Sequence, residues 1–466
     1  MKEKYGKTYG SYVYGIKELH TEDLDIMREV FVKQANHFLN RTFIVVADPK
    51  NDHSVIRNIM PLQQGENWKR IRYASAIAFT TGKLRKILPH FNKSAHMLVR
   101  EIEYYANNDH EISVHGLMQK FGLTLNARAI YGLEINAFDE NNSAFIKHAK
   151  QFMKDFSFFS PKAMFMSMFP GIVRWFERYT DYEFLSNDAA KFFKKLLNQQ
   201  YNKHLDEIQN GIVTEGAPDF MQILMEAIEE ENKGQYISQD DEDIMHSNIK
   251  IASKKQHVRK IEIFGQCFQF LLSGFDSTGL TSIMTLYILA KHPEIQTKLR
   301  EEIFHVCGDK EELDYEDLRG CHYMYQIICE TLRMYPPAVR TNREADSELV
   351  INGIRIPKGC QIAVPIYLIH YDDKYYPNPQ KFDPDRWLPE EKAKRDPLTW
   401  LPFGYGPRNC LGLRFAELQI MMGLAHIIRK FEFIAAETSP DLPVDISSKG
   451  TLKTITELFV KARLHN

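Results

Sequence analysis

Paired thiols are missing from this 466-residue chain. Its six cysteines, Cys267, Cys307, Cys321, Cys329, Cys360 and Cys410, all lie in the second half, and no C-x-x-C spacing suggests a zinc site or a redox dithiol. Such usage fits a reducing compartment. No uninterrupted apolar run reaches the roughly 18 residues that a membrane-crossing helix needs, and the chain opens on the charged Met1-Lys2-Glu3-Lys4, so no membrane anchor is read in it. Net charge is nearly absent: 59 Lys and Arg face 61 Asp and Glu, which argues against nucleic acid as a partner. Linkers rich in Pro, Gly or Ser, low-complexity tracts and internal repeats are also missing. Length alone suggests about three domains, yet residues 1–466 offer no place to cut and read as one large unit. With 44% hydrophobic residues the chain has ample material for a core.

What is present is mostly helical. Amphipathic periodicity predicts helices over 20–32, 68–80, 114–131, 142–155, 183–208 and 413–430, and Pro293 opens another as a first-turn proline. Short β-prone runs at 348–356, 361–365 and 452–460 predict a small β-rich lobe, the first two joined by Pro357-Lys358-Gly359. The fold class is therefore mainly α with a minor β lobe. One helix over 261–291 is strongly apolar and long enough to cross the molecule. Within it, Ser273-Gly274-Phe275-Asp276-Ser277-Thr278 runs against helix propensity, because Gly is costly there and Ser and Thr compete for backbone carbonyls. Local inconsistency of this kind marks a functional site.

The other unusual stretch is Phe403-Gly404-Tyr405-Gly406-Pro407-Arg408-Asn409-Cys410-Leu411-Gly412, which reads as a kinked loop delivering one cysteine to a helix N-terminus. The helix dipole and unpaired first N–H groups there favour the thiolate. The two glycines before the cysteine permit tight turns and Gly412 allows close approach of a flat ligand; Phe403 packs beside the sulfur, and Arg408 supplies a fork for a carboxylate. The pocket suits an anionic, planar, metal-containing cofactor.

This loop resembles the haem-binding loop of the cytochrome P-450 family, F-x-x-G-x-R-x-C-x-G, at Phe403, Gly406, Arg408, Cys410 and Gly412. The 273–278 run is similar to the family's distal-helix groove, with Asp276 at the acid, Ser273 for the usual Ala or Gly and Ser277 for the usual Thr. Glu330-Thr331-Leu332-Arg333 matches E-x-x-R, the segment around Arg386 resembles F-x-P-x-R-F, and Trp68 and Arg72 match W-x-x-x-R. The resemblance covers nearly the whole chain and is nearest to the animal drug- and steroid-oxidising branch.

It implies a fold that holds haem b between the long distal helix and a proximal helix bearing the Cys410 iron ligand. It implies propionate partners at Trp68, Arg72, Arg408 and Arg343, with Arg41 as a further candidate. Asp276 and Ser277 or Thr278 would relay protons, and Glu330, Arg333 and Arg386 would fix the cysteine loop. Leu272, Ser273, Ala338, Val339 and Arg340 would line the substrate pocket. The implied activity is haem-thiolate monooxygenation of a small apolar substrate: a steroid, fatty acid or xenobiotic. Electrons would come from a separate NADPH-dependent flavoprotein reductase with an acidic surface, since the chain carries no flavin or nicotinamide fingerprint. Lys69, Arg70, Lys83, Arg85, Lys86 and Arg414 would face that reductase. A peroxide isomerase or dehydratase and a non-catalytic haem sensor stay open as alternatives. The implied location is the cytosolic face of the endoplasmic reticulum membrane. The Met- and Phe-rich 156–176 stretch reads as core by composition, and by resemblance as a cavity roof that touches the bilayer. The basic segment 245–260 reads as an insertion without a legible role.

Overall fold

Sustained apolarity along 260–291 makes this segment the spine of the molecule. The structure, a computed structural model, describes all residues except 1, 14, 42–52, 140–143, 156–160, 181, 184–185, 213–215, 233–257, 448–451 and 466. Most of the segment 245–260 therefore lies outside the described residues. The longer helices are α1 (Gly65–Ile77), α2 (Thr81–Asn107), α3 (Val114–Tyr131), α4 (Ala144–Asp155), α5 (Pro161–Met168), α6 (Pro170–Tyr179), α7 (Asn187–Gln209), α8 (Phe220–Asn232), α9 (Lys260–Lys291), α10 (Pro293–Cys307), α11 (His322–Met334) and α12 (Leu413–Lys430).

The spine α9 has 32 residues and so extends about 48 Å. Glu262 closes its start by accepting the Arg259 backbone N–H at 2.8 Å and its guanidinium at 2.9 Å, and the helix stops just before Pro293, which opens α10. The helix α3 starts at Ser113, whose hydroxyl accepts the Gly116 N–H, and ends at Gly132 in the left-handed region (φ 61). Against the expected helix over 20–32, the chain forms a strand up to Thr21. Only then does a short helix, Leu24–Arg28, begin at Asp23, whose carboxylate accepts the Asp25 and Ile26 N–H groups, and it continues as a π-turn, Glu29–Lys33. Helix α2, 27 residues long, carries Pro89 in its interior; an internal proline reads as a stop, which hides this helix in the sequence.

The strands are β1 (Thr8–Val13), β2 (Ile16–Thr21), β3 (Ile112–Ser113), β4 (Thr341–Glu344), β5 (Leu349–Ile351), β6 (Ile354–Ile356), β7 (Gln361–Val364), β8 (Phe431–Ala435), β9 (Ile446–Ser447), β10 (Lys453–Thr454) and β11 (Phe459–Leu464). The β lobe is a four-stranded sheet in the order β1-β2-β7-β4, in which β2 and β7 run parallel with Glu18 opposite Gln361. The 348–356 run is a hairpin, β5–β6, turning on Asn352 and Gly353 at positive φ, as a tight two-residue connection requires. A second sheet, β3-β11-β8, ties the C-terminal strand to the start of α3. One hydrophobic cluster runs from Val55 to Ala462 around α9, and a smaller one lies under the β lobe. No helix among the described residues is long and apolar enough to cross a membrane.

Candidate active site

The cysteine loop is held in place by backbone geometry first. Gly404 and Gly406 sit at φ 70 and 71, where a side chain is strained. A Cβ on Gly406 would lie 2.1 Å from the carbonyl oxygen of Phe31. The Cys410 N–H donates to the Phe403 carbonyl at 2.8 Å, closing the loop on itself. Three arginines then grip its carbonyls: Arg343 donates to Tyr405 at 3.0 Å, Arg41 to Arg408 at 3.2 Å and Arg72 to Asn409 at 3.0 Å. Helix α12 begins at Leu413, past the cysteine, with Gly412 as its cap. Cys410 is exposed to the cavity it lines. Desolvation pushes its thiol up, against the Gly412 N–H and the Arg72 charge, which favour the thiolate.

Beneath the loop, Glu330 and Arg333 on α11 are both fully buried. Arg333 donates to the Glu330 carboxylate at 2.8 and 2.9 Å, and Glu330 also accepts from Trp387 Nε1 at 3.0 Å and the Asp383 N–H at 3.1 Å; Arg386 Nε lies 3.3 Å away. The geometry thus brings together all three residues expected here. A member that sequence reasoning missed is His370. Its Nδ1 meets the Arg333 carbonyl at 3.0 Å, and its Nε2 meets the Leu401 N–H at 2.9 Å. Nε2 is therefore the acceptor and Nδ1 carries the proton. Burial lowers its pKa to about 3, so it stays neutral. It links the acid–arginine network to the segment that runs into Phe403.

Between the loop and the spine lies a cavity of about 440 Å³. Its distal wall is one helix face, Ser273, Gly274, Ser277, Thr278 and Thr281, opposite Cys410; Thr281 was not anticipated. Ser277 Oγ donates to the Ser273 carbonyl at 2.6 Å, which leaves its lone pairs to accept. Thr278 lines the cavity, and its hydroxyl has no protein partner among the described residues. Asp276, expected beside these hydroxyls, does not line the cavity: its carboxylate lies 3.6 Å from Lys453 Nζ. Ala338 and Arg340 line it, Arg340 also pairing with Glu18. Leu272 and Val339 do not; both pack against the core instead, Leu272 because it lies on the helix row that carries Asp276. Phe403 and Gly412 line it as expected.

The cationic lining tests what the cavity can hold. Trp68, Arg72, Arg41 and Arg408 face it, with the Arg408 guanidinium stacked 4.1 Å from the Trp68 ring. Arg343, expected among them, does not line it; it is buried behind the loop on the Phe31 ring and donates to Thr341, Asn342 and Tyr405. None of the four arginines has a carboxylate partner among the described residues. Burial and their mutual repulsion lower Arg408 to about 8 and Arg41 to about 10, and burial alone lowers Arg72 to about 10. Such a cluster calls for a dianion, and a thiol opposite a hydroxyl-lined groove calls for a metal between them. Haem, with two propionates and one axial thiolate position, fits both demands.

Comparison with known proteins agrees with this geometry. The family model for cytochrome P450 matches residues 1–462. Among similar proteins, cytochrome P450 3A41 of Mus musculus is 28% identical over 460 residues, covering 98% of this chain and 85% of that protein. Cytochrome P450 3A5 of Homo sapiens is 27% identical over the same length and with the same coverage. Loop, network, cavity and family match all agree, and this chain belongs to the cytochrome P450 family.

Proposed function

We propose that this enzyme oxidises a small apolar molecule, such as a steroid, fatty acid or xenobiotic, at the cytosolic face of the endoplasmic reticulum. The family membership makes it a haem-thiolate monooxygenase that takes O2, a substrate and electrons from a redox partner. Haem held at Cys410 would supply the activation of O2. The chain's own residues do the rest. Arg41, Arg72 and Arg408, which line the cavity, would hold the propionates, and the Glu330–Arg333–Arg386 network with His370 keeps the cysteine loop from shifting. Ser277 Oγ and Thr278 Oγ1 hold the protons that the reaction consumes. The partner reductase is an NADPH-dependent flavoprotein, and residues 1–466 act as one catalytic unit.

The observation that carries this reading is the cavity itself: about 440 Å³, bounded by hydroxyls on one side and Cys410 on the other. Membrane contact is supported by α6 and its approach, where Met168, Ile172, Trp175 and Tyr179 are 58–67% exposed. That exposure corrects the compositional expectation of core for this stretch; only Met166 and Val173 of its described apolar residues are buried. The test is the ferrous carbonyl spectrum together with a ligand-shift screen over steroids, fatty acids and drug-like molecules. A red-shifted thiolate band that vanishes in Cys410→His is the expected outcome. Retention of both band and turnover in Cys410→Ser would reject the axial assignment.

A further inference from the structure

The row of α9 that carries Ser273, Ser277 and Thr281 begins one turn earlier at Gln269, which also lines the cavity. Next to it in the lining are Met60 and Phe270, the latter packed on Phe79 and Phe220 with ring centroids 4.8 Å apart. An amide at so apolar a wall is costly unless both its ends find partners. One end does. The Met60 backbone N–H donates to Gln269 Oε1 at 2.9 Å, and because a backbone N–H needs an acceptor, this bond fixes which way round the amide stands. Nε2 keeps two N–H groups without a protein partner among the described residues, on a side chain that is only half-buried. The cations of the lining are engaged: Arg340 pairs with Glu18, and Arg41, Arg72 and Arg408 face the propionates. A carboxylate-ended substrate thus meets no free cation there, whereas a neutral oxygen meets a fixed donor.

We propose that Gln269 is a specificity-determining residue whose Nε2–H donates to a ketone oxygen of the substrate, so that the site selects ketone-bearing molecules among the apolar ones it admits. The assignment rests on the apolar-substrate reading above and narrows it. Gln269 lies two turns, about 12 Å, along the spine from Ser277. An oxygen anchored at Gln269 lays a fused-ring body along this row toward Ser277, so the one donor decides both which molecule stays and which of its carbons is presented. A fatty acid, whose charged end has no partner here, is disfavoured by the same arrangement.

The test titrates the haem-loaded enzyme with androstanone and with androstane, which lacks the ketone, and reads binding from the shift of the haem absorbance band. Gln269→Met removes both ends of the amide. Gln269→Glu, in mildly alkaline buffer, keeps an acceptor for the Met60 N–H and loses only the donor. In both variants the ratio of androstanone to androstane affinity should fall about fivefold or more, through weaker androstanone binding at unchanged androstane binding. The infrared carbonyl stretch of bound androstanone should stand at lower frequency in the unmutated enzyme than in Gln269→Glu, a difference that a merely structural role for Gln269 would not produce. Gln269→Glu carries the test should Gln269→Met not fold. An unchanged affinity ratio, or the same carbonyl frequency in the unmutated enzyme and Gln269→Glu, would overturn the proposal and leave the apolar-substrate reading standing; binding of neither probe to the unmutated enzyme would overturn both.

Discussion

At Gly406 one added methyl group meets the Phe31 carbonyl oxygen, and the φ of 71 is itself unfavourable for alanine. Gly406→Ala should therefore cost about 2–4 kcal/mol, with loss of bound haem before loss of secondary structure. Urea unfolding followed in parallel by haem absorbance and circular dichroism measures this. Glu330→Ala leaves the buried Arg333 and the partly buried Arg386 without their anion and should cost about 3–5 kcal/mol by the same assay. The sequence carried these two sites plainly, because a fixed spacing of Gly, Arg and Cys, or Glu and Arg three apart, survives without knowledge of the fold. It carried the distal wall less well. Ser273, Ser277 and Thr281 form one row at intervals of four, whereas Leu272 and Asp276 form the next row, so the register alone would have separated cavity from core. His370 left no trace in sequence, since its partners are a carbonyl and an N–H.

Single elements respond to pH through histidines lodged between them. His204 on α7 is buried between Glu207 at 2.9 Å and Asp219 at 2.8 Å, the latter bound also to the Gln222 N–H at the start of α8. Burial lowers its pKa, but hydrogen bonds and charge from Asp219 and Glu207 outweigh this and raise it above 6.5. A raised folded pKa stabilises fully below 6.5 and fades as pH climbs through the folded value. The melting temperature should thus fall as pH rises from 6 into the weakly alkaline range, and in His204→Gln that dependence should be smaller. On the spine, the two hydroxyls are separable: Ser277 Oγ is tied back to Ser273, while Thr278 Oγ1 has no partner among the described residues. Positioned proton transfer contributes about 10²–10⁴-fold, so Thr278→Val should lower product formation more than Ser277→Ala, read as product per O2 consumed. The β5–β6 hairpin was legible in its Asn-Gly pair, yet the whole 348–356 run reads as one strand when only β propensity is weighed.

Across the whole molecule, charge and apolarity divide the surface. Of the cations expected to meet a reductase, Lys69 pairs with Glu66, Lys83 with Glu230 and Arg85 with Glu316, while Arg70 is bound to Glu262 at the start of the spine. Arg70 is thus withdrawn from docking, and Lys86, exposed beside Arg85, is the cation to test. Lys86→Glu should raise the apparent KM for reductase at low salt and flatten its ionic-strength dependence, leaving peroxide-driven turnover intact. The exposed belt of Ile172, Trp175 and Tyr179 predicts that Trp175→Glu releases the protein from lipid vesicles in a flotation assay without altering its ferrous carbonyl band.

The parallel pairing of β2 with β7 sets a timetable for synthesis. Glu18 pairs opposite Gln361, and Arg408 reaches back to the carbonyls of Leu39 and Gln63. At about 5–20 residues per second, the N-terminal hairpin waits roughly 20–70 seconds on the ribosome before its neighbouring strand emerges. For that interval its open edge is a pairing hazard. The nascent chain therefore depends on chaperones until β7 has been made, and slowing elongation between β2 and β7 should lower the yield of folded enzyme more than slowing it after the cysteine loop.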